Sequence, residues 1–145
     1  MAEILVGQVL VDTGPLVAIL SRSDVHHLRC LETLKLIRPP LLTSWPVITE
    51  AAWLLRNHDD LLRGLYSLAN RSVFEILQIP QSELGQIERL RTRYSSLSPQ
   101  LADLTLVHLA QREGLSTVFT LDRHDFSVYR RKGRAGFRLL PEDWP

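Results

Sequence analysis

A short apolar run that ends on a carboxylate is the feature that most constrains the fold of this chain. Val9–Val11 is apolar throughout and has β-branched valines at both ends, which is typical of a strand buried on both faces of a parallel sheet. Asp12 follows at once, and Thr13 and Gly14 lead into a second apolar run with the spacing of a helix. Open α/β sheets bind ligands at the carboxyl ends of their strands. Asp12 is therefore either a site residue or the cap of the helix that follows.

Composition narrows the class of protein. The chain has 145 residues, of which 45% are hydrophobic and 23% charged, so residues 1–145 are predicted to form a single globular domain. Cys30 is the only cysteine, which excludes an internal disulfide and predicts a reducing compartment. No apolar stretch has membrane-spanning length and no signal peptide is evident, so we expect a cytoplasmic protein without membrane contact. The net charge of +1 does not by itself indicate a nucleic-acid binder.

A second carboxylate falls on the apolar side of a predicted helix. The spacing predicts a helix over residues 47–56, with Glu50 on the same stripe as Val47, Ala51 and Leu54. A carboxylate on a buried face is expensive unless it is protonated, paired with a cation or bound to a metal. Glu50 therefore predicts either an Arg or Lys partner or a metal site.

The C-terminal half repeats both patterns. A helix that begins near Gln100 and ends at Gly114 places Asp103 on its apolar stripe. The β-rich run over residues 117–121 then ends on Asp122, as the first strand ends on Asp12. Each half of the chain thus supplies one carboxylate after a strand and one on a helix.

These four carboxylates are expected to converge. Alternating strands and helices predict right-handed crossovers and a parallel sheet, so the four positions can share one edge of it. Clustered carboxylates repel one another unless a divalent cation offsets their charge, and ligands that are all oxygen select Mg²⁺ or Mn²⁺. Such an ion polarises a phosphodiester and activates water, so phosphodiester hydrolysis is the predicted chemistry.

Four stretches of the sequence resemble the PIN-domain family, and within it the VapC-like toxins of toxin-antitoxin modules. They are residues 11–18 (VDTGPLVA), 49–52 (TEAA), 101–106 (LADLTL) and 120–126 (TLDRHDF). The resemblance implies a PIN-like three-layer α/β/α domain with a central, mostly parallel sheet of about five strands. It also implies a Mg²⁺- or Mn²⁺-dependent endoribonuclease acting on RNA, a homodimer, and inhibition by a cognate antitoxin protein.

The same resemblance assigns residues. The family's acidic quartet, which serves as both catalytic group and metal ligand, matches Asp12, Glu50, Asp103 and Asp122. Thr13 matches the hydroxyl residue beside the first acid, and Asp125 falls where some members carry an extra acid, so both receive secondary roles. Basic residues near the C-terminal end are candidates for RNA contact: Arg123, Arg130, Arg131 and Lys132.

Two other function classes compete with this interpretation. The tripeptide over residues 12–14 is also the signature of aspartic proteases, but those enzymes are all-β and carry two copies, whereas this chain has one copy followed by a helix. A PIN fold that binds RNA or protein without cutting is the second alternative. Retention of all four carboxylates favours catalysis, because unpaired carboxylates cost stability in a scaffold.

Two further expectations concern packing. The apolar residues of the helix near residue 65 exceed what one core needs and suggest a dimer interface: Leu61, Leu62, Leu65 and Tyr66. His108 lies off the face of Asp103 on its helix, so we expect it to have a packing or surface role.

Overall fold

The chain folds around a central parallel sheet of five short strands. The computed structural model describes residues 4–142. The strands are β1 (Val9–Val11), β2 (Leu41–Thr43), β3 (Phe74–Ile76), β4 (Thr117–Phe119) and β5 (Arg138–Leu140). They lie in the order β3-β2-β1-β4-β5 and all four pairings are parallel. The expected α/β fold with a five-stranded sheet is confirmed, and the sheet is parallel throughout.

Helices connect and cover these strands. They are α1 (Thr13–Leu20), α2 (His27–Leu34), α3 (Trp45–Leu54), α4 (Asp59–Asn70), α5 (Leu84–Arg93), α6 (Leu101–Glu113) and α7 (Arg123–Val128), with short 3₁₀ turns at Gln81–Glu83 and Ser95–Leu97. Within residues 4–142, none of these helices combines the length and the hydropathy needed to cross a bilayer.

The strand order places a crevice beside β1. The chain runs from β1 outward through β2 to β3, and then returns to the other side of β1 as β4. Ligand sites of open α/β sheets lie at such a reversal, outside the carboxyl ends of the strands. The two central strands are in register there, with Val11 opposite Phe119, and the Asp12 amide donates to the Phe119 carbonyl at 3.0 Å.

Buried hydroxyl groups hold the elements together around this crevice. The Thr43 hydroxyl at the end of β2 donates to the Val11 carbonyl at 3.0 Å. Ser44 caps α3, and its hydroxyl lies 2.7 Å from the hydroxyl of Thr105 on α6. Because buried polar groups are costly when unpaired, these bonds fix α3 and α6 relative to the sheet. The two helices that carry Glu50 and Asp103 are therefore tied to each other.

The buried face of α3 differs from the predicted stripe. Val47 and Ala51 are buried as expected, but Leu54 is 52% exposed and Leu55 is buried instead. Glu50 is half-buried at the edge of the packed face. The stripe drifts by one residue because the helix packs against both α1 and α6, which widens the buried face toward Ile48.

The interface predicted on α4 is not a free apolar surface. Leu65 is fully buried, and Leu61 and Leu62 pack against the core of their own chain. Only Tyr66 is exposed, at 54%. The apolar residues of α4 are therefore used to cover the sheet.

His108 has the predicted packing role, and its buried ring packs through a polar contact with a carboxylate. Its side chain is buried, and its Nε2 lies 2.6 Å from the Glu83 carboxylate. The same carboxylate accepts from Arg112 at 3.0 Å, and these hydrogen bonds from His108 and Arg112 lower the pKa of Glu83. The pair connects α6 to the turn that precedes α5.

Gly114 ends α6 in the left-handed conformation, with φ of +67°. A Cβ at this position meets no atom within 4 Å, so only the backbone conformation opposes a side chain. We expect Gly114→Ala to lower the free energy of unfolding by about 1 kcal/mol in urea denaturation. Gly85→Ala, in the first turn of α5 with ordinary backbone angles, should instead be neutral or stabilising. An equal loss of unfolding free energy in both variants would contradict the view that the left-handed backbone at Gly114 is what opposes a side chain.

Candidate active site

Asp12 lies at the carboxyl end of β1 and is nearly buried, with 8% of its surface exposed. Its Oδ1 accepts from the Thr13 amide at 2.8 Å, which caps α1, and its Oδ2 accepts from the Thr120 hydroxyl at 2.9 Å. Burial raises the pKa of Asp12 to about 6 against these two hydrogen bonds, and the charges of Glu50 and Asp122 add to the rise. Asp12 is thus a helix cap that also faces other carboxylates.

Asp103 is presented by the first turn of α6 and is half-buried. Burial is the main cause that raises its pKa to about 7, followed by the negative charges of Asp12 and Asp122. The hydroxyl of Tyr129 donates to Asp103 Oδ2 at 3.2 Å and opposes the rise. A carboxyl group that binds protons near neutral pH in the absence of metal marks a crowded negative site.

Asp122 and Asp125 complete the cluster. Asp122 lies three residues beyond the end of β4 and caps α7, since its Oδ1 accepts from the Asp125 amide at 3.1 Å. One carboxylate oxygen from each of Asp103, Asp122 and Asp125 lies within 4.8 Å of the other two. Asp125, which the sequence placed in a secondary role, therefore stands in the closest acidic group.

Glu50 faces the same cavity from α3. The cavity has a volume of about 570 Å³. Among residues 4–142, no Lys, Arg or His side chain lies within ion-pairing distance of the Glu50 carboxylate. The cation partner that its position allowed is absent from the described part of the chain. The lining is Asp12, Thr13, Gly14, Glu50, Ser98, Pro99, Gln100, Asp103, Leu121, Asp122 and Asp125.

Thr13, which was predicted as a secondary site residue, makes a packing contact at the edge of the cavity. Thr13 lines the cavity, but its buried hydroxyl is directed toward the Val47 carbonyl at 3.5 Å and joins α1 to α3.

None of the four basic candidates lines the cavity. Arg123 donates to the Pro141 carbonyl at 2.5 Å and Arg131 to the Gly136 carbonyl at 2.8 Å. Arg130 donates to carbonyls at the end of α7, and Lys132 is exposed. The three guanidinium groups thus hold the backbone of the C-terminal segment, and RNA contact by these residues remains a prediction.

Two residues whose hydroxyl groups bond to the acids, Thr120 and Tyr129, were not predicted from the sequence. Thr120 is fully buried, donates to Asp12 and accepts from the Asp122 amide at 3.0 Å, so it joins two of the acids. A hydroxyl residue two positions before Asp122, directly after the strand that pairs with β1, is a signal that could have found it. Tyr129 follows α7 and reaches Asp103 across 26 residues of sequence, and no local pattern announces it.

The donor set fits a hard divalent cation. Five carboxylates border one cavity, three of them contribute oxygens within 4.8 Å of one another, and the pKa values of Asp12 and Asp103 are raised by burial and like charge. A divalent cation relieves that repulsion, and carboxylate oxygens suit Mg²⁺ or Mn²⁺. Asp103, Asp122 and Asp125 could hold such an ion, with Asp12 and Glu50 beside them.

Comparison with known proteins agrees with this arrangement. The sequence profile of the PIN domain matches residues 9–132, which includes every carboxylate of the cavity. The chain belongs to the PIN-domain family. It is 29% identical over 135 residues to Ribonuclease VapC26 of Mycobacterium tuberculosis (strain ATCC 25618 / H37Rv), an alignment that covers 91% of this chain and 99% of the relative. The predicted family membership is confirmed.

A solved PIN-like fold resembles this one. The crystal structure of Mycobacterium tuberculosis VapC20, described as a Sarcin-Ricin loop cleaving toxin, superposes with a TM-score of 0.73. The match covers 81% of this chain and 92% of VapC20 at 18% sequence identity. This likeness establishes the fold of the PIN domain here.

Thr120 offers a test of how the PIN-domain acids are held in place. We expect Thr120→Val to weaken Mn²⁺ binding by about 10-fold to 100-fold, because its hydroxyl bonds to Asp12 and to the Asp122 amide, and loss of such supporting bonds at a metal site typically has this effect. Thr43→Val is the matched control, since it removes a buried hydroxyl bond to a carbonyl rather than to an acid. Calorimetric titration with MnCl₂ measures both. If Thr43→Val weakened binding as much, a general packing effect would explain the result.

Proposed function

We propose that this PIN-domain protein is a Mg²⁺- or Mn²⁺-dependent endoribonuclease and the toxin component of a type II toxin-antitoxin system, acting in the cytoplasm. The observation that carries the proposal is the group of oxygens from Asp103, Asp122 and Asp125 within 4.8 Å, in one cavity with Asp12 and Glu50. Similarity to Ribonuclease VapC26 over almost the whole of both chains supports RNA as the substrate and an antitoxin as the partner.

The carboxylates themselves make a cation necessary for substrate binding. A phosphodiester is anionic, so a cavity bordered by five acids repels it until positive charge is added. When bound, a divalent ion supplies that charge and lowers the pKa of water for attack on phosphorus. Asp103, Asp122 and Asp125 would hold the ion, and Asp12 is kept in place by the Thr13 amide and the Thr120 hydroxyl.

Cleavage of total cellular RNA by the purified protein tests the nuclease. We expect fragments with MnCl₂ or MgCl₂ and none with excess EDTA, and the fragment ends identify the RNA that is cut. Intact RNA in the presence of folded, Mn²⁺-bound protein would favour a non-catalytic binding module instead.

Expression in a bacterium tests the toxin role separately. Induction of the chain alone should arrest growth, whereas the Asp103→Asn variant at the same protein level should be tolerated. Equal growth arrest by the wild type and by Asp103→Asn would mean that toxicity does not depend on the acidic site.

We also propose that the chain is a homodimer, as its VapC-like resemblance implies. Sedimentation equilibrium at micromolar concentration should give about twice the chain mass of 16.6 kDa. The mass of one chain over the same concentration range would contradict this.

A further inference from the structure

One buried tyrosine makes a polar contact with the acidic cluster from outside the cavity. The Tyr129 side chain is fully buried, and its hydroxyl donates to Asp103 Oδ2 at 3.2 Å. Tyr129 is not among the residues that line the cavity, so it meets Asp103 from behind. Within residues 4–142, Asp103 is the one member of the three closely spaced acids that accepts from a buried aromatic hydroxyl.

The Tyr129 ring is fixed on two sides. It packs edge-to-face against Tyr94, with ring centroids 5.0 Å apart and an interplanar angle of 86°, and against Phe126 at 5.1 Å and 78°. Its backbone amide donates to the Asp125 carbonyl at 3.1 Å, which closes the last turn of α7. Tyr94 in turn accepts from the Arg130 amide at 3.0 Å. A ring packed in this way holds its hydroxyl at one place, and edge-to-face pairs are a favoured geometry.

We propose that Tyr129 is a positioning residue of the active site: its hydroxyl holds one oxygen of Asp103, which leaves the other directed toward the ion that Asp103, Asp122 and Asp125 bind. The inference rests on the proposed metal site. Groups that hydrogen-bond to the ligands of a metal fix their orientation and raise its affinity. Because Tyr129 belongs to the segment after α7, it also fixes α6 relative to the helix that carries Asp125.

The expected effect follows from the geometry of the bond. Loss of a partner of this kind costs about 10-fold to 100-fold in metal affinity. At 3.2 Å the bond is longer than the usual 2.7–2.8 Å for hydroxyl donors, so we expect about 10-fold, at the lower end of the range. Tyr129→Phe keeps the ring and its packing and removes only the hydroxyl.

Tyr94→Phe is the matched control. Tyr94 is buried in the same aromatic stack, and its hydroxyl accepts from the Arg130 amide, so the substitution removes a hydrogen bond to the backbone and not one to an acid. Both variants should unfold at a somewhat lower temperature than the wild type. Only Tyr129→Phe should bind Mn²⁺ more weakly.

Titration of the 145-residue chain with MnCl₂ by calorimetry tests the proposal. We expect a dissociation constant about 10-fold higher for Tyr129→Phe and unchanged for Tyr94→Phe. In the Asp103→Asn background, adding Tyr129→Phe should change the affinity by much less than it does in the wild type.

The outcomes separate this inference from the metal site itself. If Tyr129→Phe binds Mn²⁺ as the wild type does, or if Tyr94→Phe loses as much, the positioning role is overturned and the metal site stands. If Tyr129→Phe does not fold, Tyr129→Met, which also lacks the hydroxyl and is no larger than tyrosine, takes its place with the same expected loss. If the wild type itself binds no Mn²⁺, the metal site and the inference both fall.

Discussion

Asp103→Asn should reduce RNA cleavage by at least about 1,000-fold, which is about 4 kcal/mol of transition-state stabilisation. The substitution removes one charge and one ion-binding oxygen from the group of Asp103, Asp122 and Asp125. The remaining amide oxygen can still accept from Tyr129, so the local packing is kept. Single-turnover cleavage of a fragment identified in total RNA measures the effect.

The control is a carboxylate-to-amide change away from the cavity. Glu75 lies exposed on β3 at the edge of the sheet, and Glu75→Gln removes the same charge without touching the acids. It should cleave like the wild type. RNA binding by Asp103→Asn should be retained, which distinguishes a disabled nuclease from a binding module. Cleavage by Asp103→Asn within tenfold of the wild type would remove Asp103 from the proposed mechanism.

The metal-free protein should lose stability as the pH rises from about 4 to 8. Asp12 and Asp103 have folded-state pKa values of about 6 and about 7, above their ordinary value of 3.8. The folded state therefore binds protons more tightly than the unfolded state, and this contribution is fully present below about pH 4. It is lost as the pH rises through the folded pKa values. The loss should be on the order of 3 kcal/mol, since one pKa unit corresponds to about 1.4 kcal/mol and the two acids are coupled.

Urea denaturation in EDTA between pH 4 and pH 8 measures this loss. Asp103→Asn removes one of the two charges, so it should match the wild type near pH 4 and be more stable by about 1–3 kcal/mol at pH 8. Mn²⁺ should reverse the order at pH 8, because an ion at about 1,000 times its dissociation constant stabilises the wild type by about 4.1 kcal/mol. A wild-type stability in EDTA that rises steadily over this pH range would mean that the acids do not crowd one another.

The sequence predicted the elements that local pattern controls. Val9–Val11 and Thr117–Phe119 are buried strands because apolar, β-branched runs suit a parallel sheet, and Gly114 ends α6 in the conformation that glycine favours. The resemblance to the PIN-domain family added the order of the acids. Their roles as ligands stay predictions, which the variants above test.

Other features depend on which elements meet, and they were not predicted. Leu54 is exposed and Leu55 buried because α3 packs between two other helices, which one periodic stripe does not describe. Leu65 is buried in the core and Leu61 and Leu62 pack against it, so most of the apolar surplus on α4 is used within its own chain, and the interface stays a prediction. Tyr129 reaches Asp103 only after α7 folds against α6, and periodicity carries no information about that contact.

The acids that lie closest together in the structure are not the four that the sequence singled out. Asp125 appears in the sequence as an extra acid three residues after Asp122, but α7 brings its carboxylate into the closest group. Asp12, the first acid that the sequence pattern indicates, uses one carboxylate oxygen to cap α1 and the other to accept a hydrogen bond from Thr120. Hydrogen bonds that only the folded chain provides decide which oxygens remain open to an ion.

Metal-dependent cleavage at the acidic site is tested by measuring Mn²⁺ occupancy and single-turnover RNA cleavage on the same samples of wild type and Asp103→Asn. We expect that cleavage rises with Mn²⁺ occupancy in the wild type, disappears in EDTA, and is absent in Asp103→Asn until much higher Mn²⁺ concentrations. Cleavage that persists in EDTA, or Asp103→Asn that binds Mn²⁺ and cuts like the wild type, would contradict it.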